Sequence, residues 1–208
     1  MPTGCSASAV QSRETSTLSS SSTFRQSIRR LKPEKRRAGL AYRDRSVLPF
    51  LANWQPPFPN FLLDTTVYVD ALQNRLPEEA DVALRASIVW HSSVTEAELA
   101  AAVGQLDPTD PRSTNHIERI IESIDRRAPH RILSPDREIW REAGILAGML
   151  ARLQNYDKDD RRKALNDALI FLTAAKYGCA VLTRNVKEFD LLLQLNGRGQ
   201  VIFYDQSP

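Results

Sequence analysis

The stretch KALNDALIFLTAAKYG, residues 163 to 178, is apolar on nearly every side. As a helix it places Leu165, Leu169, Leu172 and Lys176 along one face and Ile170, Phe171 and Ala174 along another. A helix that is apolar almost all round has to be covered almost all round. Gly178 supplies its C-terminal stop, and CAVLT (179 to 183) follows at once as a short buried strand. A covered helix feeding a covered strand is the unit of a layered α/β domain.

The same alternation runs through the rest of the chain from residue 61. FLLD (61 to 64) is a buried strand ending in an acid, and a helix continues from Val67 to Leu76. PEEADVALRAS (77 to 87) opens with proline and two acids, which favour a helix start. SIVWHSS (87 to 93) is a second strand and TEAELAAAVGQL (95 to 106) a helix of strong formers. A turn-rich linker, 107 to 115, leads to a helix over 116 to 127. A short strand at HRIL then precedes the Ser134-Pro135-Asp136 entry to a helix reaching about Leu153, and VIFY (201 to 204) is the last strand. Short strands separated by helices predict a parallel sheet, whose ligand sites lie at the carboxyl ends of its strands.

Charge divides the chain differently. Residues 1 to 60 hold 10 of the 28 Lys and Arg but only 3 of the 25 Asp and Glu, so the basic balance resides there and the remainder is mildly acidic. Residues 6 to 27 are mostly Ser, Thr and Gln, with too little apolar surface to offset chain entropy. Residues 1 to about 45 are therefore expected to be disordered, with VLPFLANWQPPFPN (47 to 60) an extended connector. The basic run RRLKPEKRR is read as a solvated tail rather than a phosphate binder. A Ser- and Arg-rich start resembles an organelle transit peptide, against which stand Glu14, Glu34 and weak amphipathicity; a start codon placed too far upstream gives the same segment. Apolar runs fall far short of the roughly 18 residues of a membrane span. Two cysteines, Cys5 and Cys179, make no disulfide framework and fit a reducing, cytoplasmic compartment.

Asp64 is the residue that does not belong in a buried strand, since burying a carboxylate is costly unless something compensates it. It either caps the following helix or is one corner of a site. Asp167 begins the inward row of Ile170, Phe171 and Ala174, and Glu98 lies in the helix after the second strand. Acids gathered from separate elements repel each other unless a cation neutralises them. Mg²⁺ or Mn²⁺ suits such an oxygen-only set and can activate water and hold a phosphodiester. Glu98 also fits a capping box with Thr95, as Glu96 does with Ser93. The latter cap would release Glu98. NYDKDD lacks the glycine and glutamate of a calcium loop and reads as acids at a helix start. Thr66 stands where a haloacid-dehalogenase phosphatase needs its second aspartate. His91, His116 and His130 are isolated, and Trp90 and Trp140 are expected to pack rather than stack on bases.

LLDTTVYVD, SSVTEAELAAAVGQL and NDALIFLTAAKYGCAVLTRNVKEFD together resemble the PIN-domain family, and within it the VapC-type ribonuclease toxins of bacterial toxin–antitoxin pairs. The resemblance spans residues 61 to 205. It implies a three-layer α/β/α nuclease domain over 61 to 208 with a central, mostly parallel sheet; residues 1 to 60 have no counterpart in the usual compact toxin and stay, on composition, a disordered or extended basic segment. It also implies a Mg²⁺-dependent endoribonuclease leaving a 5′-phosphate and a 3′-hydroxyl. Asp64 and Asp167 match its principal metal ligands, with Glu98 completing the site. Thr66 and Thr183 match positions that orient the carboxylates. Where the family often carries a fourth acid this chain has Asn185, and Glu188 or Asp190 are the candidates to replace it. A homodimer and a small antitoxin, reaching the acids with an arginine, are the implied partners besides RNA. The alternatives are a PIN-domain protein of RNA processing and an inactive RNA-binding module.

Overall fold

The computed structural model describes residues 24 to 206. Five short strands, β1 (Phe61–Leu63), β2 (Val89–Ser92), β3 (Ile132–Leu133), β4 (Ala180–Thr183) and β5 (Gln200–Phe203), form one sheet in the order β3-β2-β1-β4-β5. Every pairing is parallel, so the sheet is wholly rather than mostly parallel. The chain runs from β1 outward to β3 on one side, then returns to place β4 on the other. The carboxyl end of β1 is therefore the point where strand order reverses, where such folds bind ligands.

Strand side chains alternate between two cores, as the pleat requires. Leu62, Val181, Val201 and Phe203 face one, shared with α6 (Arg137–Gln154), α7 (Lys158–Tyr177) and α8 (Val186–Leu195). Phe61, Leu63, Ala180, Leu182 and Ile202 face the other, shared with α2 (Thr65–Leu72), α3 (Glu78–Arg85), α4 (Ser93–Gln105) and α5 (Pro111–Asp125). This is the expected three-layer arrangement. α7 is the covered helix of the sequence: Ala168 through Phe171 have no exposed surface. Gly178 ends it in the left-handed region, φ +66°. Gly199 precedes β5 against the Phe171 ring, where an added Cβ would come within 2.2 Å.

α2 spans Thr65–Leu72 rather than 67 to 76, and three larger differences from expectation lie elsewhere. α5 starts at Pro111 because Asp110 accepts from the Arg112 backbone N–H at 2.9 Å, converting the turn-rich linker into a capped start with proline inside it. α8 was not anticipated, although VKEFDLLLQL buries Phe189, Leu191, Leu192 and Leu195. The third lies in the N-terminal segment. Residues 1 to 23, with the transit-peptide reading and the first part of the expected disorder, lie outside the described residues. From Phe24 the structure has order where disorder was expected: α1 (Phe24–Leu31) packs on α6. Leu31 joins the core, while Ser27 and Arg30 bond the buried Glu142 carboxylate. A buried acid left alone is costly, so α6 holds α1 by a polar tie that composition does not reveal. The connector also lies on the domain: Leu48 and Phe50 enter one core and Leu51 the other. Among the described residues no helix is long and apolar enough to cross a membrane.

Candidate active site

β1 ends at Leu63 and hands the chain to Asp64, which is both helix cap and site residue. Its Oδ2 accepts from the Thr66 backbone N–H at 3.4 Å, capping α2. The same oxygen accepts from the hydroxyls of Thr66 and Thr183, each at 2.7 Å. Asp64 is only 3% exposed. Three donors on one oxygen fix the carboxylate and offset part of its desolvation. Thr183 comes from the end of the adjacent strand β4, and the Asn185 N–H donates back to its hydroxyl at 2.9 Å. Both threonines thus occupy the orienting role expected of them.

Neither expected capping box forms at α4. Ser92 caps instead, accepting from the Val94 N–H at 3.2 Å, and the Thr95 hydroxyl donates to the Leu63 carbonyl. Glu98 is thereby released toward the β1 end, where Thr65 Oγ1 donates to its Oε2 and Asn166 Nδ2 to its Oε1 at 2.8 Å. Thr65 and Asn166 were missed in the sequence. Each directly flanks an acid, Asp64 or Asp167, and that adjacency was the available signal. Glu96 goes elsewhere, pairing with the buried Arg127 at 3.4 Å.

α7 runs opposite to the strands, so its N-terminal half lies over their carboxyl ends and brings Asp167 there. Burial pushes the Asp167 carboxyl well above the usual carboxylate range, and the charges of Asp64, Glu98 and Glu188 push it further, with Lys163 opposing them. The structure thus gathers Asp64, Glu98 and Asp167 around one sheet edge. It also separates the two candidates for the missing fourth acid. Glu188, in the first turn of α8, acts on Asp167. Asp190 is buried against Arg43 and Gln194 and is committed elsewhere. Asn185 reaches Asp167 Oδ2 with its amide at 3.4 Å.

An all-oxygen donor set with mutual repulsion is the chemistry a hard dication answers. The hydrogen bonds to Asp64 and Asp167 fall on their Oδ2 atoms. The arrangement is nonetheless open: no three acidic, histidine or cysteine side chains among the described residues stand as a ligand group. The Thr65 and Asn166 bonds hold both Glu98 oxygens. The donors therefore fit the group in kind, with Glu98 required to turn from these neighbours to join.

A second network lies beside the first. Asp70, wholly buried, accepts from Arg184 Nε at 2.8 Å, the Tyr204 hydroxyl at 2.7 Å and Gln206 Nε2 at 3.0 Å. It fixes Arg184 between Thr183 and Asn185. His91, bonded to the Tyr68 hydroxyl, has its pKa lowered to about 4 by burial and then by Arg127 and Arg131. It is neutral at pH 7 and, through Tyr68, is not the isolated residue expected.

A family model described as PIN domain matches residues 61–191. Among solved structures, FitAcB from Neisseria gonorrhoeae is 25% identical, covering 69% of this chain and 96% of that one with a TM-score of 0.48. DNA-bound VapBC from Salmonella typhimurium is 22% identical, covering 71% and 98%, TM-score 0.49. VapBC-5 from Mycobacterium tuberculosis is 22% identical, covering 71% and 99%, TM-score 0.45. Comparison with curated proteins gave no match. The family model spans more than half of the chain and begins at the strand that delivers Asp64, and the chain belongs to the PIN-domain family.

Proposed function

We propose that this protein is a divalent-cation-dependent endoribonuclease and the toxin of a type II toxin–antitoxin pair. What supports the nuclease reading is the placement of Asp64, Glu98 and Asp167 near the carboxyl ends of the strands, where burial and then the charges of Asp64 and Glu98 raise the Asp167 carboxyl. Asp64, Asp167 and Glu98 would hold Mg²⁺ or Mn²⁺, which supplies charge neutralisation and a more acidic water. Thr66 and Thr183 keep Asp64 in one orientation. Glu98, once turned from Thr65 and Asn166, would complete the site and help orient an attacking water. The toxin assignment rests on the sequence likeness to VapC-type toxins, which also supplies the homodimer and the small antitoxin as partners.

The test is incubation of purified protein with RNA, with Mg²⁺ or with chelator, followed by mapping of the ends. We expect 5′-phosphate and 3′-hydroxyl products with Mg²⁺ alone. Asp64→Asn and Asp167→Asn should each abolish cleavage with the fold intact, and full activity in either variant sinks the assignment. Glu98, held by Thr65 and Asn166 outside any ligand group, favours a second reading. In it the protein binds RNA without cutting it, and Mg²⁺ leaves its melting temperature unchanged.

A further inference from the structure

A cleft of about 480 Å³ opens beside the acids, and Glu98 and Asn166 belong to its wall. Its volume falls within the roughly 300–1,000 Å³ of small-ligand clefts. Trp140, in the first turn of α6, contributes to the wall yet is 50% exposed, so the expectation that it packs is not met. An indole is the largest apolar body a chain can bury, and here half of it faces water. Arg162 and Lys163, near the start of α7, line the same cleft. Arg162 approaches only the exposed Asp159, at 3.9 Å, a surface pair of little worth. The Lys163 charge opposes the upward shift of Asp167.

An open aromatic face beside two cations is the arrangement that holds single-stranded nucleic acid: the ring stacks a base and the cations meet the backbone. An unpaired base is needed, because bases stacked within a duplex offer no face. We propose that this cleft is a subsite for one unpaired nucleotide of single-stranded RNA, its base on Trp140 and its backbone phosphate at Arg162 and Lys163. This deepens the nuclease reading and rests on it, since the adjoining acids would then meet the neighbouring phosphodiester. An antitoxin segment bringing arginine would meet cations of its own sign in this cleft, which favours RNA as the occupant.

Binding is measured apart from cleavage. In the full chain carrying Asp167→Asn, fluorescence anisotropy follows a labelled single-stranded RNA oligonucleotide and its duplex. Adding Trp140→Ala should weaken single-strand binding by roughly 5- to 150-fold, the range for loss of one base–aromatic stack. Trp140→Phe should restore most of it, and duplex binding should not change. Equal single-strand affinity in Trp140→Ala overturns the subsite. So does a loss accompanied by a changed oligomeric state, or by lost affinity for an antitoxin peptide alone, because Trp140 then belongs to a protein interface. With Asp167 intact, a chain that binds through Trp140 but never cleaves removes the nuclease reading and leaves the subsite. Cleavage indifferent to Trp140 does the reverse.

Discussion

Asp167 is nearly buried and carries the influence of three other acids, and together these set the sign of a pH effect. Its carboxyl binds its proton more tightly in the folded chain than in the unfolded one. The native state therefore holds more protons above the ordinary carboxylate range, and stability falls as pH rises through the raised pKa. In chelator, the melting temperature of the parent should decline over that span relative to Asp167→Asn, which has no such proton to lose. Parallel curves would show that Asp167 ionises without strain. Mg²⁺ should reverse the trend in the parent alone, because it favours the charged form. Asp70 is a buried carboxylate with three donors. Asp70→Ala should cost about 1.5–3 kcal/mol in urea denaturation, as for hydrogen bonds to a charged group; a smaller loss would mean the donors find water freely. Asp64 was legible in the sequence because it interrupts an apolar strand at its end, Asp167 because it heads an apolar helical row, and Glu98 only by its place in the helix after the second strand. Thr65 and Asn166 carried only the signal of flanking an acid, because their bonds to Glu98 depend on where α2 and α7 meet α4.

α7 and β4 were readable because an all-round apolar helix and a run of apolar residues have few alternatives. α8 was not: VKEFDLLLQL is short, and its acids and lysine obscure the buried face that Phe189, Leu191 and Leu192 form. The turn before β5 makes an equally local demand. NGRG reads as a generic turn, yet Gly199 is required by the Phe171 ring lying where a Cβ would stand. Phe171 is wholly buried and has no room to withdraw. Gly199→Ala should therefore destabilise the fold by about 1–3 kcal/mol, the usual cost of overpacking a filled core. Thermal or urea denaturation measures it, and an unchanged midpoint would show that the turn shifts freely.

Composition draws a boundary at residue 60, where the basic, serine-rich segment gives way to the acidic body. The packing crosses that boundary. β5 is an edge strand, and unpaired edges invite association. Residues just before β1 cover it: Phe50 bridges Phe203, the Phe203 N–H donates to the Pro49 carbonyl at 2.9 Å, and the two rings stand 5.6 Å apart. Arg45 pairs with Asp205 beyond the strand end. Burying a side chain such as Leu48, Phe50 or Leu51 contributes about 1.5–3 kcal/mol each. A sum over all three would be a large part of a domain's net stability. We therefore propose that the folding unit extends upstream of Phe61 to include at least residues from Asp44, with the connector as the cover of the β5 edge. A chain of residues 61–208 should melt well below one of residues 44–208 and should associate beyond the oligomeric state of the full chain, as seen by light scattering. Since neither chain contains α1, the comparison isolates the connector. Equal melting temperatures and equal mass would return the boundary to residue 60 and leave the Phe50–Phe203 contact without energetic weight.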